Sequence, residues 1–139
     1  MYIDLEYYQD LYGETDQFKF EQFCYEAQTK LDLATTSLSG VQRLKVFFPT
    51  DEDDAERVKR CLAKITNILI NADETKAEIL NGGLIHSVNS GSESITYDNK
   101  KELLEVTNEQ LSLDIRDTIK EYLSGVTDVN GINLLYGGN

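Results

Sequence analysis

Between Thr50 and Ala72 apolar residues recur at Ala55, Val58, Cys61/Leu62, Ile65, Ile68/Leu69 and Ala72. Steps of three and four place them on one helical stripe. Thr50 suits the cap, and Asp51, Glu52 and Asp53 set negative charge where free amides and the helix dipole favour it. The pattern predicts a central helix over 51–72 whose wide apolar face other elements must cover. A second stripe, Phe20, Phe23, Cys24, Ala27, Leu31 and Ala34, predicts its partner over 16–35, begun by Thr15 or Asp16. Packing the two together buries several large side chains, at roughly 1.5–3 kcal/mol each. Leu5, Tyr8 and Leu11/Tyr12, between a capping Asp4 and Gly13, predict a short helix over 4–12. Near the end, Thr107-Asn108-Glu109-Gln110 matches a capping box, and Leu111, Ile115, Thr118/Ile119 and Tyr122 carry a last helix over 107–124.

Elsewhere the helical period breaks. Ser37, Ser39 and Gly40 interrupt it, and Val41, Leu44, Val46, Phe47 and Phe48 run up to Pro49, the only proline. That segment suits a short helix from Val41 or an extended strap equally. Asp73–Asn81 can continue the central helix as far as Gly82-Gly83. Leu84–Asn89 and Glu93–Tyr97 lean towards strand on either side of Ser90-Gly91-Ser92, which predicts a β-hairpin over 84–97. An isolated hairpin is marginal in water, so this one needs backing from helices or from a second copy of the chain. Residues 126–139 read as an extended C-terminal tail whose Leu134-Leu135-Tyr136 either folds back or is given to a partner. The expected fold is therefore mainly α: a single domain, about four helices, one β-hairpin before the last helix, and the tail.

Composition narrows the function classes. The 139 residues carry a formal charge of −12 and a pI near 4.4, a poor match for gripping nucleic-acid phosphates. No apolar run approaches the roughly 18 residues of a membrane span, and Met1-Tyr2-Ile3-Asp4 lacks signal-peptide character, so a cytosolic chain is expected. Cys24 and Cys61 fall on apolar helix faces, where free cysteine acts as a small hydrophobe. Asp51–Asp54 lacks the alternation, glycine and distal glutamate of a calcium loop and reads as a solvated helix start. His86, the only histidine, has no ligand-spaced neighbour, and Ser90-Gly91-Ser92 lacks the flanks of a phosphate loop or nucleophile elbow. The dense Tyr2, Tyr7, Tyr8 and Tyr12 suit a helix–helix seam or subunit contact better than an aromatic ligand platform. No catalytic, cofactor-binding or metal residue is assigned, no cofactor is expected, and the chain is not expected to be an enzyme.

The order of pieces resembles a known family. A tyrosine-rich first helix leads to a Phe/Ala helix ending in Leu31-Asp32 and Thr35/Thr36, then to Arg43-Leu44 and the Glu56-Arg57-Val58-Lys59-Arg60-Cys61 helix. Ser87–Tyr97 and the closing Tyr122-Leu123-Ser124-Gly125…Leu134-Leu135-Tyr136-Gly137 complete the order. Together they resemble the head–tail connector (adaptor) proteins of tailed bacteriophages and prophages of Gram-positive hosts. The terminus departs from the pattern in having glycine, not arginine, after Tyr136. The resemblance implies a structural protein that forms a ring on the portal of a DNA-filled capsid and a platform for the tail. Its partners would be further copies of itself, the portal, the next connector or tail protein, and DNA passing through without specific binding; no membrane is involved. It would occupy the host cytoplasm during assembly and then the virion. It further implies contacts to neighbours through Ser90, Gly91, Ser92, Ile95 and Tyr97 of the hairpin and Leu134, Leu135 and Tyr136 of the tail. Composition and helices alone fit a small acidic protein–protein interaction module or regulator as well.

Overall fold

The computed structural model describes residues 1–81 and 97–135. Five helices account for most of them: α1 (Leu5–Tyr12), α2 (Gln17–Ala34), α3 (Arg43–Val46), α4 (Glu52–Leu80) and α5 (Tyr97–Leu123). Three aspartates begin the three helices nearest the N-terminus that have capping side chains. Asp4 accepts from the Tyr7 amide, Asp16 from Lys19 and Asp51 from Asp54, so the start of α4 is capped by Asp51 and not by Thr50. Gly13 ends α1 at φ 93°, in the region that favours glycine.

The axis of the fold is α4, 29 residues or about 44 Å of helix. Its stripe buries Val58, Cys61, Leu62, Ile65 and Leu69; Phe20, Cys24, Ala27 and Leu31 come from α2, and Ile115, Ile119 and Leu123 from α5. Helices α2 and α5 both pack along α4 but scarcely meet each other. The short α1 lies across α2 and α4. Tyr8 fills the corner, its ring 5.4 Å from that of Phe20 and its hydroxyl 3.1 Å from Asn67 Oδ1.

Three expectations are corrected. The first is the inserted β-hairpin: the fold is helical, and among the described residues no strand exists, only isolated bridges between Thr36 and Gln42 and between Thr127 and Asn133. Residues 84–96 of the expected hairpin lie outside the described residues, and Tyr97, assigned to its second strand, opens α5. A β-leaning residue type is a weak local preference, and the helix-forming residues that follow, with half-buried Leu103/Leu104, Thr107 and Leu111 in helical spacing, override it. The second is the capping box. Thr107 lies inside α5, and its hydroxyl donates back to the Leu103 carbonyl at 2.8 Å while Gln110 turns to Asp114. The long α5 runs beside the long α4, and Lys100 Nζ reaches the Leu80 carbonyl at 3.4 Å. The third is the extended tail, which folds back so that Leu134 is completely buried.

Two loops of the same design make that return possible. Thr36-Ser37-Leu38-Ser39-Gly40-Val41-Gln42 and Thr127-Asp128-Val129-Asn130-Gly131-Ile132-Asn133 each follow a long helix and close on an antiparallel bridge. In the first, the Ser37 amide donates to the Val41 carbonyl at 2.9 Å and Gly40 to Ser37 at 2.9 Å; in the second, Asp128 donates to Ile132 at 2.8 Å and Gly131 to Asp128 at 2.9 Å. In each, the second residue's side chain accepts an amide, that of Val41 on Ser37 Oγ and that of Ile132 on Asp128 Oδ1. The glycines turn at φ 90° and 81°. Segment 37–50 thus resolves into this loop followed by α3. Buried Arg43 joins the two halves by donating to the Asn133 carbonyl at 3.2 Å, and the Val129 amide donates to the Phe47 carbonyl at 3.2 Å.

Candidate interaction surface

Among the described residues the two cysteines and the N-terminal tyrosines are engaged in the fold. Burial pushes the Cys24 thiol up to about 11 and the Cys61 thiol up to about 12, so both are free, buried and weakly nucleophilic. The tyrosines fasten the N-terminus to the bundle. Tyr2 donates to Asp32 Oδ1 at 2.7 Å and stacks on Phe48 at 5.0 Å; Tyr7 donates to Glu56 Oε1 at 2.8 Å. Burial and then these carboxylates raise both phenols well above their usual range. In return the Tyr7 hydroxyl, together with the Arg60 guanidinium 3.1 Å from the same Glu56 oxygen, holds Glu56 below the usual carboxylate range. The tyrosine cluster is a helix seam. Among the described residues no buried side-chain nitrogen or oxygen lacks a partner, and no group of three metal-ligating side chains is assembled.

Of the residues assigned to partner contact, Ser90, Gly91, Ser92, Ile95 and Tyr136 lie outside the described residues, as does His86. Leu134 belongs to the chain's own core and presents nothing to a neighbour. Tyr97 is the first residue of α5. Leu135 is half-buried, and it leads to the surface that the sequence did not indicate.

Because α2 and α5 both pack on α4 but scarcely meet, a groove of about 460 Å³ opens between them. Leu111, Ile115, Ile119 and Leu135 form its apolar floor with Ala34, and Lys30, Arg116 and Lys120 stand around it. The three cations are exposed. Arg116 pairs with its neighbour Asp117, at 3.6 Å in open solvent, a pair that contributes little. Lys120 lies in the last turn of α5, where the helix dipole favours a cation. Three positive groups around an apolar floor, on a chain of net charge −12, make a surface suited to an apolar side chain flanked by carboxylates. Ser112 also lines it, with no Asp, Glu, His or Cys beside that hydroxyl among the lining residues. Periodicity did not point to it, since each residue looks like an ordinary flank of its own stripe. The twin loops did leave a sequence signal, Thr-x-x-x-Gly followed by a β-branched residue and an amide, present twice.

Comparison with known proteins places no relative beside this chain: no family model, curated protein or solved structure matches it. Among the described residues, no helix is long and apolar enough to cross a membrane.

Proposed function

We propose that this protein is a structural subunit of a tailed-phage head–tail connector, one copy of a ring between the portal and the tail that extends the DNA channel and receives the tail. The observation that carries the reading is the apolar groove between α2 and α5, which nothing among the described residues covers, on a fold whose two cysteines are buried and whose N-terminal tyrosines are bonded into the bundle. Such a molecule acts by being assembled. The resemblance of the Tyr-rich helix, the Arg43-Leu44 segment and the Leu134-Leu135-Tyr136 terminus to connector proteins then supplies the class of assembly. Excess negative charge suits a conduit that must not hold its cargo, since DNA phosphates and surface carboxylates repel one another. On this reading the protein is made in the host cytoplasm and ends in the virion, with the portal, further copies of itself and the next connector or tail protein as neighbours.

The test is co-expression with the portal protein encoded in the same genome, followed by affinity capture and negative-stain imaging. An added ring of density on the portal is the expected result. A bare portal beside this chain, repeated with DNA-filled heads, refutes the connector role and leaves an acidic interaction module.

A further inference from the structure

Five of the nine apolar residues of α2 are buried on its core-facing side. On the opposite side Phe18, Tyr25 and Leu33 stand 78%, 72% and 68% exposed. With Gln22 and Thr29 between them they follow steps of four, three, four and four, so they form one ridge along the helix. Exposed Glu21 and Glu26 flank it. Nothing in the described fold covers this ridge. Three large hydrophobes on one helix face exceed the scatter of single apolar residues that any surface carries.

We infer that the acid-flanked α2 ridge of one copy of this chain seats in the base-rimmed α2/α5 groove of a second copy. Charge selects that pairing. Ridge against ridge would oppose the Glu21 and Glu26 carboxylates of both copies, and groove against groove would oppose Lys30 and Lys120; only the unlike surfaces match in sign. Among the described residues no apolar side chain fills the groove over Leu111 and Leu135, and the ridge is a row of apolar side chains. Ridge and groove are different patches, so their contact is heterologous. Each added copy still offers one of each, and the series closes into a ring or continues as a filament. The inference deepens the ring reading and rests on it only for the assembly's place in a virion, since both surfaces are read from this chain alone.

The experiment uses the full chain and two variants, Tyr25→Glu on the ridge and Lys120→Glu on the groove. Both positions are exposed, and unchanged circular dichroism melting verifies folding. Sedimentation and light scattering of the wild type should give a mass that rises past a dimer with concentration and falls with added salt. Each variant alone should associate at least about tenfold more weakly. Mixed together they should form a 1:1 dimer that grows no further, because one copy keeps its groove and the other its ridge. A wild type that stays monomeric to about 1 mM overturns the inference, as does a mixture without the dimer or a wild type that stops at a dimer. No portal is present, so the failure of these surfaces and the failure of the connector role are separate results.

Discussion

Replacing Leu134 by alanine tests whether the C-terminal segment belongs to the fold. The side chain is fully buried with Val126 and Leu123, and its amide donates to the Val126 carbonyl at 3.0 Å. Leucine-to-alanine changes in cores cost about 2–5 kcal/mol, according to how far the surroundings collapse. Leu134 lies in a returning loop, not within a helix, so the segment can relax and the expected cost is about 2–3 kcal/mol. Against a total stability of about 5–15 kcal/mol that is a large fraction. For a chain of this size it corresponds to roughly 8–12 °C in melting temperature. The assay is urea and thermal unfolding followed by far-ultraviolet circular dichroism, with Leu33→Ala as the control. Leu33 is exposed, and its loss should change the monomer by no more than about 0.5 kcal/mol. The two variants must be compared at a concentration where the chain does not associate. If Leu134→Ala costs no more than Leu33→Ala, the segment is not anchored, and Leu134 is available to a partner, the other of the two fates its sequence allows.

Alkaline conditions should weaken the fold in a defined window. Burial raises Cys24 to about 11 and Cys61 to about 12, and Tyr2 and Tyr7 are raised by burial and neighbouring carboxylates, so the unfolded chain releases these protons first. The stabilisation is complete below about pH 8.5 and is lost as pH rises through 11 to 12; urea midpoints that stay level across that range contradict it. Tyr7→Phe removes the hydroxyl bond to Glu56 and should cost about 1 kcal/mol. The same change should reduce the loss of stability on acidification, because a carboxyl held low contributes above its unfolded pKa and ceases to contribute as pH falls through its folded one. Gly40→Ala and Gly131→Ala each force a Cβ into a positive-φ turn with no steric neighbour, so both should cost about 1–2 kcal/mol from backbone strain alone. Asparagine at either position should cost less, measurable in the same urea titrations.

The hydrophobic period along the chain determined that α1, α2 and α4 exist and which faces they bury, because a helical stripe is a property of neighbouring residues. Asp4 and Asp16 mark helix starts for the same local reason, and Cys24 and Cys61 are buried where their stripes put them. Only the tertiary structure decided where α5 begins. A few residues of strand preference at Tyr97 and a capping pattern at Thr107 carry tenths of a kcal/mol each, less than continuous packing along a 29-residue α4 provides. It also decided the destination of Leu134. No pattern in the tail itself distinguishes a leucine offered to a partner from one returned by the Asp128–Gly131 turn and the Arg43 bond to Asn133. The groove is the clearest case. Lys30, Leu111, Ile119 and Lys120 meet there because two helices that share α4 scarcely touch each other. Such a gap depends on interhelical geometry, to which the period of a single helix is blind.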